Sequence, residues 1–263
     1  MNFTASSDYY GDGRYLQHAL VIENIDKLRF RREDDVLDVG CGTGEETKSI
    51  ASQVRSVTAF DFSEDMLAIA RERNSAPNIT YFVGDARTCG DNSDWQEAFD
   101  KVVSFYVLHW FPEQSEALAS IFACLKPEGE ALIMANHRTP VLSEAAVFLD
   151  GHAKWAHYLK DYVSGVHHLW KQSPIETQKL LTAWGWTDVQ CEVKQVTNSN
   201  EVQTKLWLKT CLGQTARIPE AEQEEYLEDL WQWAFSRYGD DSKAGHVRFP
   251  FDVMVIHACK PGL

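Results

Sequence analysis

Between residue 36 and about residue 134, short apolar runs alternate with segments whose apolar positions recur every three to four residues. The runs are VLDVG (36–40), VTAFD (57–61), ITYFVGD (79–85), KVVSFYVL (101–108) and EALIMA (130–135). Between them lie EETKSIASQV, SEDMLAIARER and PEQSEALASIFACL, which have helical periodicity. Strand, helix, strand, helix in this order predicts crossover units that build a parallel sheet with helices on both faces, an α/β fold. Ser63 is placed to cap one helix, Pro112 with Glu113 to start another, and KPEG (126–129) to turn the chain into the fifth strand.

The pattern changes after Ala135. Residues 137–184 read as mostly helical and aromatic, with Trp155, Tyr158, Tyr162 and Trp170. WTDVQCEVKQV (186–196) then alternates like a strand. A second helical insertion follows over about 200–238, and VRFPFDVMVIHACK (247–260) closes the chain as a strand. The two late strands are expected to pair antiparallel, as a hairpin at the edge of the parallel part. That gives seven strands in a mostly parallel sheet, within one domain spanning 1–263. Its core covers about 35–135, and the helical insertions at about 137–184 and 200–238 form a cap.

Composition narrows the partners. The 263 residues are 44% hydrophobic, with nine Trp, nine Tyr and thirteen Phe, enough for a large core. A formal charge of −14 argues against nucleic acid and against an anionic membrane surface, because both need a basic face. The N-terminus lacks the pattern of a signal peptide, and no apolar stretch approaches a spanning helix. Six cysteines stand singly, with no C-x-x-C pair, which suits reduced thiols in the cytoplasm rather than disulfides or a zinc site. His152, His157, His167 and His168 show no ligand spacing, so no metal is expected. The oligomeric state, including a homodimer, is left open.

Candidate chemistry concentrates at Asp38-Val39-Gly40-Cys41-Gly42-Thr43-Gly44. A glycine turn between a first strand and its helix lets backbone approach a ligand closely. A dinucleotide site would want G-x-G-x-x-G with pyrophosphate at the helix N-terminus. Glu45 and Glu46 occupy that helix start here, a poor neighbour for phosphate but no obstacle to a cationic ligand. Asp61 ends the second strand about 20 residues beyond the glycines, where a ribose diol is read. Phe62 and Met66 follow it, Asp85 and Ala86 end the third strand beside an adenine position, and Ser104 ends the fourth. Three acidic strand ends around a glycine turn suit S-adenosylmethionine, a nucleoside with a positive centre.

This constellation resembles the Rossmann-like class I methyltransferase fold over about residues 35–135. The resemblance implies that Asp38, Gly40, Cys41, Gly42, Gly44, Asp61, Phe62, Met66, Asp85, Ala86 and Ser104 bind S-adenosyl-L-methionine. The end of the fourth strand, SFYV (104–107), lacks the D/N-P-P-Y run of nucleic-acid amino-group methyltransferases. No cysteine follows a proline as cytosine-carbon methylation would need, and no carboxylate cluster suggests a Mg²⁺-dependent catechol enzyme.

FDKVVSFYVLHWFPEQSEALASIF (99–122), with YLQHAL (15–20), KWAHYLKDYV (154–163) and the closing strand, resembles the arthropod juvenile hormone acid O-methyltransferases. That resemblance covers nearly the whole chain. It implies methyl transfer to the carboxylate of a sesquiterpenoid acid, farnesoic acid or juvenile hormone acid, giving a methyl ester. Similar plant carboxyl methyltransferases fix the acceptor with one Gln amide and one Trp indole. By position these are Gln17 and Trp110, with His109 beside the latter. An ionised acid, of pKa ~4–5, needs no general base; the task is in-line orientation. Neutral N–H donors suit this better than a cationic clamp, which would stabilise the ground-state anion. Phe148, Trp155, Tyr158, Tyr162, Trp170, Trp207 and Trp231 are candidate wall residues for the oily tail, worth ~0.8 kcal/mol per buried CH₂. Two alternatives stay open: another small-molecule acceptor, and a non-catalytic interaction protein of the same fold.

Overall fold

The computed structural model describes residues 12–160, 168–196 and 199–262. Tyr162 and His167, named above, lie outside the described residues. Seven strands form one sheet: β1 Asp35–Val39, β2 Ser56–Asp61, β3 Ile79–Val83, β4 Phe99–Phe105, β5 Leu125–Arg138, β6 Thr187–Val196 and β9 Phe251–Cys259. Two-residue strands β7 (Ser199–Asn200) and β8 (His246–Val247) pair separately. The sheet order is β3-β2-β1-β4-β5-β9-β6. All pairs from β3 to β5 are parallel. β9 runs antiparallel to both β5 and β6, so the reversed strand lies inside the sheet and β6 forms the edge.

Alternate side chains on each strand enter two separate cores, as the two-residue period of a strand dictates. Val36, Val57, Val103, Leu132, Met134 and Val255 belong to one; Leu37, Val102, Ala131, Ile133 and Ile256 belong to the other. The first face is covered by α1 (Tyr15–Asn24), α2 (Glu45–Ala51) and α3 (Glu64–Arg73), and by α5 (Pro140–Asp150), α6 (Ala156–Leu159), α8 (Glu201–Cys211) and α9 (Gln223–Tyr238) of the insertions. The second is covered by α4 (Gln114–Cys124) and α7 (Pro174–Ala183). Both insertions therefore stack chiefly on the face carrying α1.

Ser63 caps α3 as expected, its Oγ accepting from Met66 N at 3.4 Å. Three expected boundaries move. Helix α4 begins at Gln114, with Glu113 as its cap residue. KPEG lies inside β5, where the register against β4 shifts, Glu128 takes φ +65° and its N–H reaches Lys260 O at 3.1 Å. The closing strand begins only at Phe251. Pro250 has no N–H to give the ladder, so His246–Val247 pairs with Ser199–Asn200 instead.

Candidate functional site

Strand order reverses between β1 and β4, because β2 and β3 lie to one side of β1 and β5 lies beyond β4. Ligands of open α/β sheets bind at the carboxyl ends of strands beside such a switch. A cavity of about 310 Å³ opens there, lined by Gly40, Phe60, Asp61, Phe62, Ser63, Met66, Gly84, Asp85, Ala86, Arg87, Val107, Trp110, Phe111 and Pro112.

The glycine turn makes this approach possible. Gly40 has φ +74°, and a Cβ there would lie 2.3 Å from Val107 Cγ2; Gly44 has φ +83°, with the Tyr81 hydroxyl 2.5 Å from such a Cβ. Any larger residue would be both strained and obstructed. The turn is pinned to β2 by Gly40 N and Cys41 N donating to Phe60 O at 2.8 and 3.0 Å. Gly42 N donates to Asp61 Oδ2 at 2.9 Å, and Ser63 N donates to Asp61 Oδ1 at 2.9 Å. Each carboxylate oxygen keeps a further lone-pair site, so Asp61 can accept two more donors, the requirement of a ribose diol. Burial raises the Asp61 carboxyl above its usual range, opposed by the N–H groups of Ser63, Gly42 and Phe62. Phe62, 65% exposed at the rim, offers an apolar face for a ring to cover.

Asp85 is bound by Arg87 in two ways: Arg87 N donates to Oδ1 at 2.9 Å, and Nη2 donates to Oδ2 at 2.6 Å. The guanidinium hydrogen bond holds the Asp85 carboxyl below its usual range. The Arg87 guanidinium also lies 5.3 Å from the centre of the Phe111 ring, which joins the third-strand end to the wall carrying Trp110.

Behind the glycines, Asp38 is buried and accepts Thr47 Oγ1 at 2.6 Å. Burial pushes its carboxyl up to about 7; the Thr47 hydroxyl opposes this, and the charges of Glu46 and Asp61 add to it. Glu46, buried in the first turn of α2, accepts Arg14 Nη2 at 3.0 and 3.1 Å and lies 3.2 Å from His18 Nδ1. Burial would raise it, but the Arg14 guanidinium and the His18 contact hold it down at about 2. Arg14 also approaches Glu45 at 3.8 Å. The N-terminal segment is thereby clamped onto the helix that follows the glycine turn.

Of the residues expected from sequence, Gly40, Asp61, Phe62, Met66, Asp85, Ala86 and Trp110 share the cavity. Asp38, Cys41, Gly42 and Gly44 lie outside its lining and shape the turn. Ser104 is fully buried at the end of β4, its hydroxyl without a partner among the described residues. Trp110 closes a 3-10 turn (Leu108–Trp110), with its indole 4.8 Å from the buried His109 ring. The His109 carbonyl accepts His168 N at 2.7 Å. Gln17 is not brought to the cavity: its Nε2 lies 3.9 Å from Cys211 Sγ on α8. Its Oε1 is buried without a partner among the described residues.

Arg87, Phe111 and Tyr106 escaped the sequence reading. Arg87 had a signal, two residues beyond a strand-end aspartate. Tyr106 had none: it takes φ +62° just after β4, donates to Met134 O through its backbone N–H at 2.8 Å, and reaches Gln17 O with its hydroxyl at 3.5 Å. A non-glycine residue in that region marks a loop whose surroundings fix it. A short link covers the same end of the sheet: Trp170 N donates to Asn136 O at 2.8 Å, and Gln114 Nε2 donates to His168 O at 2.5 Å.

Residues 36–129 match the methyltransferase domain family. Juvenile hormone acid O-methyltransferase of Bombyx mori is 26% identical over 215 residues, 79% of this chain and 76% of that protein. Its namesake in Drosophila melanogaster is 26% identical over 245 residues, 87% of this chain and 81% of that one. Among solved structures, phosphoethanolamine N-methyltransferase 2 of Haemonchus contortus, with phosphomonomethylethanolamine and S-adenosylhomocysteine, superposes with a TM-score of 0.59 at 19% identity. The match covers 98% of this chain and 59% of that one. No described helix is long and apolar enough to cross a membrane. With the glycine turn and the strand order, residues 36–129 carry a methyltransferase domain on the class I, Rossmann-like fold, and its cofactor is S-adenosylmethionine.

Proposed function

We propose that this protein is an O-methyltransferase that esterifies the carboxylate of a hydrophobic acid, a sesquiterpenoid such as farnesoic acid or juvenile hormone acid. The observation that carries the reading is Trp110, a residue of the cofactor-cavity wall beside Val107, Phe111 and Pro112, with the His109 ring packed against its indole. Arg87, the only cation among the described lining residues, is taken up by Asp85. A neutral N–H donor beside the reacting centre orients an anion without over-stabilising it. The two juvenile hormone acid relatives, matched over far more of the chain than the core alone, support the acceptor class.

S-adenosylmethionine, when bound, supplies an electrophilic methyl group on a sulfonium. Asp61 would read its ribose hydroxyls, Phe62 and Ala86 would flank its adenine, and Asp85 would accept from the ring amine in place of part of its bonding to the Arg87 guanidinium. Trp110 would hold one oxygen of the acceptor carboxylate. That acid is ionised at neutral pH, so no residue has to remove a proton. Exclusion of water by Phe111, Pro112 and the 168–170 link leaves the oxygen lone pair free to attack. Gln17 is proposed as a second donor, a role that requires its carboxamide to turn from Cys211. His109 is proposed to brace the indole it packs against.

Incubation with radiolabelled cofactor and a panel of farnesoic, juvenile hormone, fatty and dicarboxylic acids tests the reading. Label is expected in the methyl ester of the isoprenoid acids. Label confined to short dicarboxylic acids would move the acceptor class, and label only in amines or no label at all would remove the carboxyl assignment. Trp110→Phe keeps the aromatic wall and removes the N–H. Turnover is expected to fall about ten- to hundredfold, the worth of one donor to a charge, with cofactor affinity within a few-fold of the parent.

A further inference from the structure

We propose that Glu130, His257 and Cys259 form a zinc-binding site at the end of the strands opposite the cofactor cleft. His257 and Cys259 are two residues apart on β9, so strand alternation puts them on one face. Glu130 pairs directly with Cys259 across the β5–β9 ladder, and His257 faces Leu132 one step along it. One ligand atom from each of the three lies within 4.8 Å of the other two. His257 Nε2 and Glu130 Oε2 are already 2.9 Å apart.

The donor set of one imidazole, one thiolate and one carboxylate is that of borderline-soft Zn²⁺. Tetrahedral ligands at ~2.0–2.3 Å from the ion stand roughly 3.3–3.8 Å from one another. Insertion therefore needs the histidine–glutamate hydrogen bond to open slightly and the sulfur to draw in, by side-chain rotation alone. The backbones that carry the ligands are fixed, because β9 is bonded to β5 on one side and to β6 on the other. Lys101, nearly buried, pairs with the other oxygen of the same carboxylate, Glu130 Oε1, and so orients Oε2 without occupying it. Binding converts the Cys259 thiol to a thiolate, and the released proton passes to solvent. Side chains of all three residues are partly exposed, which leaves an entry path and a fourth position for water.

The site lies at the start of β5 and the end of β9, whereas the cofactor cavity lies at the carboxyl ends of β1 to β4. Metal binding is therefore expected to stabilise the sheet without changing cofactor affinity. Histidine and cysteine spacing along the chain predicts no metal here. Residue 130 joins the other two only through strand pairing.

Cobalt(II) is the probe for the test, used on the intact reduced protein after chelator treatment and dialysis. One equivalent per chain is expected to raise a thiolate-to-cobalt charge-transfer band together with the visible bands of four-coordinate cobalt, and Zn²⁺ should erase both. Cys259→Ser and Cys259→Ala should lose the thiolate band while still binding cofactor, and His257→Gln should weaken cobalt affinity. Absence of the band in the parent chain overturns the proposal. So does its persistence in both Cys259 variants, which would place the metal on another of the cysteines.

Discussion

Asp61 and Asp38 are neighbouring carboxylates with opposite duties. Asp61 spends one lone pair per oxygen on Gly42 N and Ser63 N and faces the cavity with the rest. Asp61→Ala should therefore weaken cofactor binding about ten- to hundredfold by calorimetry, an effect that Trp110→Phe should lack. Asp38 faces the interior, and burial raises its carboxyl to about 7. The folded chain then keeps a proton that the unfolded chain gives up in the ordinary carboxylate range. Its contribution to stability is complete at acid pH and is lost as pH rises through about 7. His18, raised by its hydrogen bond to Glu46, acts in the same direction. Thermal unfolding without ligand should occur at lower temperature at pH 8 than at pH 5.5. Asp38→Asn should remove part of that difference and leave the share due to His18. A cationic ligand favours the ionised carboxylate, so cofactor affinity should rise over the same interval in the parent and stay flatter in Asp38→Asn. Equal pH slopes in parent and variant would show that Asp38 does not feel the ligand.

At the scale of elements, the clamp between the N-terminal segment and α2 makes a separate prediction. Glu46 is buried against Arg14 and His18, and removing one partner of such a pair leaves the other uncompensated. Glu46→Ala should cost at the low end of about 3–5 kcal/mol, since Arg14 keeps Glu45 nearby; denaturant unfolding measures it. The core strands were readable because each carries β-branched or aromatic residues bounded by glycine or charge, and the strand-end acids were readable because a parallel sheet brings such ends to one edge. What failed was longer-range. Pro250 cut the last strand short, and the β5 register shift absorbed KPEG as a strand irregularity. Gln17 lies on α1, and the neighbour that holds its amide is Cys211, 194 residues away. No local pattern holds that contact, nor the strained backbone of Tyr106, which depends on Met134 across the sheet.

For the whole molecule, the balance of space decides how two ligands share one cleft. The cavity at the strand ends measures about 310 Å³, the lower limit of the roughly 300–1,000 Å³ usual for one small-molecule site. A nucleoside cofactor alone would fill it, so under the proposed function a fifteen-carbon acid would have to find its room in the cap. Several aromatic candidates there are already spent on packing. Trp155 and Trp207 are fully buried, with Trp155 Nε1 bonded to Asp229 at 2.8 Å and the Trp207 ring 5.4 Å from that of Phe249. Trp170 donates to Thr177 at 2.8 Å. Under the proposed function, the acid would draw its room from the contacts that α1, α5, α8 and α9 make with one another among the described residues. Two buried polar atoms without partners among the described residues, Gln17 Oε1 and Trp207 Nε1, lie on α1 and α8 where such an opening would expose them. Hydrogen exchange measures this directly, because segments that open and close lose protection according to the free energy of opening. Cofactor product alone should protect the glycine turn and the start of α3. Adding farnesoic acid should change exchange in α1 and α8 as well, and raise the melting temperature beyond the cofactor's own effect, by the linkage that rewards any ligand of the folded state. If the acid alters exchange only around Trp110 and leaves α1 and α8 unchanged, the oily tail lies along the surface and the insertions serve as packing alone.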